Sequence, residues 1–164
     1  MRTLYLLRHA KSSWKEESVV DFERPLAGRG RKACGLLARF IQAEGIEFDL
    51  ILSSTAVRAR ETIELIRQGA KLRTETRYDE RVYEANASRL LEVVSQIEND
   101  RKAVLLVGHN PGLEELLTVL TGKTHRLQTC SLAKLKLKIS KWSDNYENKA
   151  TLDWIVRAKE LEEA

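Results

Sequence analysis

The sequence predicts an α/β fold: a three-layer sandwich with a mostly parallel central sheet and helices on both faces. C-terminal strands include an antiparallel edge. Three observations carry this. Short apolar runs alternate with stretches of helical spacing through the first two-thirds of the chain, as parallel strands joined by crossover helices require. The runs Leu4–Leu7, Asp49–Leu52 from its second residue on, and Ala103–Val107 are apolar, as strands buried on both faces are. After Gly122 the pattern changes to strict alternation, with Leu135, Leu137 and Ile139 set against Lys134, Lys136 and Lys138.

In chain order, Leu4–Leu7 is the first strand, and a polar loop from Lys11 to Glu23 follows it. Arg24-Pro25-Leu26 opens a helix that carries Leu36, Leu37, Phe40 and Ile41 and stops at Gly45. Asp49–Leu52 is the second strand, ending at Ser53-Ser54-Thr55. Ala56 to Arg67 is helical, with Ile63 and Ile66 on one face. Leu72–Thr76 reads as a shorter strand, and Ser88 to Glu98 as a helix. Ala103–Val107 is the clearest buried strand and ends at Gly108-His109-Asn110. Pro111 suits a first helical turn, with Asn110 as its expected cap, and the helix runs through Leu113, Leu116, Leu117 and Leu120. Trp154–Ala158 is the expected partner of the lysine-rich strand.

Composition sets limits on function. The chain has 164 residues, 43% hydrophobic and 32% charged, with 28 basic against 24 acidic residues. This predicts one globular domain, residues 1–164, with a core that needs neither disulfide nor metal. The net charge of +4 is too small to mark a nucleic-acid coat. Lys134, Lys136, Lys138 and Lys141 read instead as a solvated strand face that blunts edge pairing. Cys34 and Cys130, the two cysteines, do not make a disulfide framework. Neither a membrane span nor a cleavable leader is legible, so a cytoplasmic, monomeric protein is expected.

Open α/β sheets bind ligands beyond the carboxyl ends of their strands. The polar residues in those positions are Arg8-His9, then Ser53-Ser54 with Arg58 one helical turn on, then His109. Arginine grips a phosphoryl group through its planar fork, and a neutral imidazole can act as nucleophile. Two histidines without clustered carboxylates or thiols make a poor metal site, so no metal or other cofactor is expected.

Leu6-Leu7-Arg8-His9-Ala10 resembles the Arg-His-Gly signature of the histidine phosphatase superfamily, with Ala10 where many members have glycine. The run from Ser53 to Thr62, Ser-Ser-Thr-Ala-Val-Arg-Ala-Arg-Glu-Thr, is similar to that family's Ser-Ser…Arg-Ala…Thr segment. Val107-Gly108-His109-Asn110-Pro111-Gly112 is similar to its second-histidine segment. Arg24-Pro25-Leu26 followed by Gly30 matches the small SixA-type phosphohistidine phosphatases. The motifs occur in family order between residues 4 and 113.

The resemblance implies His9 as the nucleophile, with Arg8, Arg58 and His109 holding the phosphoryl oxygens. Ser12 and Ser54 are further candidate phosphate donors. Glu84 is the expected proton donor to the leaving group, with Asp21 as the alternative. Only 25 residues separate Arg58 from Glu84, too few to build a lid after a helix, a strand and a loop. An open site favours a phosphohistidine on a protein, such as a histidine-phosphotransfer protein in signal transduction. A small-metabolite phosphomonoesterase or mutase, and a non-catalytic phosphate-binding module, are the alternatives.

Overall fold

The computed structural model describes residues 1–16 and 18–161. Six strands form one sheet: β1 (Arg2–Arg8), β2 (Leu50–Ser53), β3 (Thr76–Tyr78), β4 (Ala103–Gly108), β5 (Ser131–Leu137) and β6 (Ala150–Arg157). Their spatial order is β3-β2-β4-β1-β5-β6. The first four run parallel, while β5 is antiparallel to β1 and β6 antiparallel to β5. The helices are α1 (Gly28–Ala43), α2 (Val57–Ala70), α3 (Ala87–Ser95), α4 (Gly112–Thr121) and the short α5 (Ala158–Leu161).

Successive side chains of a strand point to opposite faces, and this divides the core in two. Leu4, Leu6, Leu50, Leu52, Val104 and Leu106 point to the face covered by α3 and α4. Tyr5, Leu7, Ile51, Leu105, Val107 and Leu132 point to the face covered by α1, α2 and α5. Both faces are dry, which is why these strands read as unbroken apolar runs. On β5 the alternation has the expected meaning, with Leu135 and Leu137 fully buried and Lys136 exposed. Lys134 and Lys136 reach Asp153 of β6 at 3.6 and 3.8 Å, so the lysine stripe is partly neutralised by the neighbouring strand.

Three local expectations are corrected. The third strand lies at Thr76–Tyr78, because Leu72 to Glu75 only carry the chain from α2 to the sheet edge. The first helix begins at Gly28, since Arg24-Pro25-Leu26 is extended and Leu26 bridges Ser12. Asn110 is no cap: Pro111 holds that position, and the Asn110 amide donates to the Leu127 carbonyl at 2.8 Å. Cys34 and Cys130 are buried free thiols.

Gly112 starts α4 directly beneath the turn that carries Glu84, and a Cβ there would land on the Ala85 carbonyl oxygen. Gly35, inside α1, has open space around it. Gly112→Ala is therefore expected to destabilise the protein by about 1–3 kcal/mol in urea unfolding. Gly35→Ala should instead stabilise it by about 0.5–1 kcal/mol, the usual gain of alanine over glycine within a helix.

Candidate active site

The register of the central strands builds the site. Arg8 of β1 pairs with Gly108 of β4, so the next residue on each strand, His9 and His109, emerges at the same level. The His9 N–H donates to the Gly108 carbonyl at 3.1 Å, and the two imidazole centroids lie 5.1 Å apart, close to the spacing of neighbouring strands. On the other side of β4, Ser54 leaves β2 with its N–H on the Val107 carbonyl at 3.0 Å. Its Oγ lies 2.7 Å from Nε2 of His109 and also accepts from the Ala56 N–H. The chain then turns into α2, whose first turn carries Arg58. One turn on, the Thr62 hydroxyl donates to the Arg58 carbonyl at 2.7 Å and accepts from the Ala10 N–H at 3.0 Å. A buried threonine thus ties the exit of β1 to the helix that supplies the second arginine.

The tautomer of His9 follows from its partner. Nδ1 lies 2.8 Å from the Ala10 carbonyl oxygen, which can only accept, so Nδ1 carries the proton and Nε2 keeps its lone pair. Burial pushes the His9 pKa down to about 4 against the help of that hydrogen bond, and the guanidiniums of Arg58, Arg8 and Arg24 add to the lowering. His109 is pushed to about 3 by burial, then by His9 and Arg58. Both rings are neutral at pH 7. The arginines carry the positive charge, and they leave the His9 Nε2 lone pair free.

Arg58 is buried and pinned by Asp21, whose backbone carbonyl accepts from Nη1 at 2.8 Å and whose carboxylate accepts from Nη2 at 3.1 Å. The same carboxylate accepts the Tyr83 hydroxyl at 2.6 Å and lies 3.6 Å from Arg24. Tyr83 and then the nearby arginines hold the Asp21 carboxyl below its ordinary range. A carboxylate kept ionised and held by guanidiniums is poorly suited to donate a proton, and its contacts here are with Arg58, Arg24 and Tyr83. Arg24, buried at 6% exposure, donates to Ser12 and stacks under Trp14 at 3.3 Å from the ring centroid. Arg24 and Tyr83 have no site role in the sequence reading. Arg24 sat in a recognised motif, but only its proline-marked helix entry was legible.

Arg8, Arg58 and His109 are brought together with His9. Ser54 and Ser12 are at the same place, each with a protein partner: Ser54 supports His109 and Ser12 supports Arg24. Glu84 is exposed, with φ of 54°, and shares with Arg58, His109, Asn110 and Glu115 the lining of a cleft of about 360 Å³. Among the described residues, Nε of Arg8, Arg24 and Arg58 and Nδ1 of His109 are buried without a hydrogen-bond partner. Surplus buried donors of this kind suit an anion rich in acceptor oxygens.

The two depressed histidines also set a pH dependence. Unfolded, each takes its proton near pH 6.5; folded, only near 4 or 3. The unfolded state therefore binds more protons between these limits, and stability falls as pH drops through this window. Denaturant midpoints measured between pH 7 and 5 should fall, and His9→Asn and His109→Asn should each flatten that slope.

The comparisons with known proteins agree with this geometry. Residues 4–89 match the family model of the histidine phosphatase superfamily, branch 1. An uncharacterized chloroplastic protein of Arabidopsis thaliana is 30% identical over 154 residues, covering 88% of this chain and 71% of that one. An uncharacterized protein of Mycobacterium tuberculosis is 36% identical over 114 residues, 70% of this chain and 69% of its own. The SixA structure from Agrobacterium tumefaciens superposes with a TM-score of 0.82 at 27% identity, over 94% of this chain and 97% of that one. A protein histidine phosphatase SixA complexed with tungstate shares the fold at TM-score 0.83 and 20% identity, over 97% and 99% of the two chains. The alternation of parallel strands and helices, the paired histidines at matched strand ends and the family match lead to one conclusion: the chain belongs to the histidine phosphatase superfamily and is a phosphatase of the SixA type.

Proposed function

We propose that this phosphatase hydrolyses phosphohistidine on a protein, through a covalent phosphohistidine on His9. The observation that carries the mechanism is the Nδ1–H hydrogen bond to the Ala10 carbonyl, which leaves Nε2 unprotonated in a ring flanked by guanidiniums. Nε2 attacks phosphorus as the bond from phosphorus to the substrate imidazole nitrogen breaks. The leaving imidazole keeps that electron pair and takes a proton from Glu84 or from water. Water then attacks the phosphorus of the enzyme phosphohistidine, releasing inorganic phosphate and restoring neutral His9.

Charge on the transferring group is met by Arg8 and Arg58, held in place before the reaction. Neutral His109 can donate to the phosphoryl group from Nδ1 while its Nε2 accepts the Ser54 hydroxyl. Arg58 is oriented through Asp21 and Tyr83, so these two act on the reaction through another residue.

Support for a protein-borne substrate comes from how little covers the cleft. The segment from Lys71 to Asn86 is used up by β3, a 3-10 turn at Glu80–Val82 and the turn at Glu84. The loop after β1 presents Trp14 and Val20 to solvent at 72% and 62% exposure. A second reading is a phosphatase of a small metabolite, since the fold is shared with such enzymes, among them a mycobacterial glucosyl-3-phosphoglycerate phosphatase at TM-score 0.70 and 17% identity.

Turnover of a phosphohistidine protein and of a panel of phosphomonoesters, compared at equal enzyme concentration, separates the two readings. His9→Ala should abolish turnover and acid-labile phosphoryl labelling; turnover that survives in this variant rules out the covalent route. Arg58→Ala should lower kcat by about 10²–10³ fold, the usual cost of one preorganised donor to a charged transition state. Glu84→Gln should slow phosphomonoesters, whose alkoxide needs the proton, while sparing phosphohistidine. Equal loss on both substrates would overturn this distinction between the leaving groups.

A further inference from the structure

A second concave surface lies beside the cleft and takes no part in the chemistry above. It is a groove of about 410 Å³ lined by Lys11, Arg29, Lys32, Leu36, Thr129 and Lys159, with the Cys130 and Ala158 side chains in its floor. Its place follows from the topology. Lys11 is two residues beyond His9, and α1 starts at the carboxyl edge of the sheet. Because β5 is antiparallel to β1, Thr129 enters β5 at that edge, and β6 returns Lys159 to it. The groove is rigidly coupled to the nucleophile. The Cys130 N–H is shared between the Arg8 and His9 carbonyls at 3.0 and 3.1 Å. The Lys11 carbonyl accepts from the Ala27 N–H at 2.9 Å and lies against Gly30, where a Cβ would strike it.

The charge of the groove is one-sided. Among the described residues, four that line it are cations and none is acidic. Glu61 and Glu160, the nearest carboxylates in sequence on α2 and α5, are engaged elsewhere, Glu61 with Arg31 and the Leu26 N–H, Glu160 with Arg157. Among the described residues Lys11, Arg29 and Lys159 make no ion pair, and all three are exposed. No aromatic ring lines the groove for a base to stack on, which argues against a nucleotide or single-stranded RNA. A small ligand would also find no buried polar group to fix its orientation. Exposed cations on a shallow rigid surface suit the carboxylates of a protein face, which they attract over a distance of about a Debye length.

We propose that this groove docks an acidic surface of the protein that carries the phosphohistidine, and so orients the phosphoryl group over His9. The inference rests on the protein-substrate reading above. Its test compares the wild type with the Arg29→Glu/Lys159→Glu double variant and with the charge-conserving Arg29→Lys/Lys159→Arg. The substrates are phosphoramidate and a histidine-phosphotransfer domain of net negative charge, phosphorylated chemically. At ~0.05 M salt the double charge reversal should lower kcat/KM on the phosphodomain by about tenfold or more, through KM. It should leave phosphoramidate turnover unchanged, and the charge-conserving variant should behave as wild type. Raising salt to ~0.5 M should erase the difference. An unchanged kcat/KM on the phosphodomain, or an equal loss on phosphoramidate, would overturn the docking role. If the wild type hydrolyses phosphoramidate but ignores the phosphodomain, the protein-substrate reading fails by itself. The groove is then judged by fluorescence anisotropy of the unphosphorylated domain. Binding weakened about tenfold by charge reversal upholds it, whereas equal binding, or tighter binding of single-stranded RNA, overturns it.

Discussion

The parallel register of β1 with β4 is the constraint on which the rest of the site depends. Arg8 faces Gly108, so His9 and His109 leave adjacent strands at one level and their rings meet at 5.1 Å. A register slip of one residue would turn His9 to the opposite face and exchange the side chains that each of the two cores has packed. The apolar side chains on both faces of β1 and β4 therefore hold the histidines together as firmly as they hold the sheet. This is a strong form of positioning, since the contact between the two rings is enforced by burial of many side chains and not by a single bond.

Around that pair the protein solves an electrostatic problem. A nucleophilic imidazole must stay neutral, yet a phosphoryl group needs positive charge. Burial lowers the histidines, and nearby guanidiniums lower them further while remaining charged themselves. Three arginines this close would repel one another, and Asp21 is the answer the fold provides. Its carboxylate touches Arg58, reaches Arg24 and takes the Tyr83 hydroxyl. Tyr83 is in turn pushed up to about 12 by burial and by Asp21, so its phenol remains a donor. Phe22 packs edge-on against Tyr83, at 5.1 Å between centroids, which fixes the loop after β1 over the site.

The same carboxyl edge carries two surfaces of different character. The cleft beside Glu84 is lined by both signs of charge, with Arg58 and His109 of the candidate site among its residues. The groove beside Lys11 carries, among the described residues, cations and no carboxylate. Cys130 links them, because its backbone N–H steadies Arg8 and His9 while its side chain lies in the groove floor. Binding in the groove and chemistry in the cleft thus share one stretch of backbone, the segment from Arg8 to Lys11.

Much of this was legible in the residues themselves. Unbroken apolar runs fixed the buried parallel strands, alternation marked β5, and polar residues just past the strands identified His9, Arg58 and His109. What escaped was decided by partners distant in sequence. Thr76–Tyr78 became a strand because β2 offered it an edge, not because of its own pattern. Asp21 reads as an alternative acid and Arg24 as part of a helix-opening motif, and only folding brings Asp21 to Arg58, Arg24 and Tyr83, the last 62 positions away. The sequence alone determined the periodicities and the chemical types available, since both are local properties. The tertiary structure decided which donors stay buried, which tautomer His9 holds and where charge is neutralised. Those depend on desolvation and on through-space contact, and neither is written in the spacing of a chain.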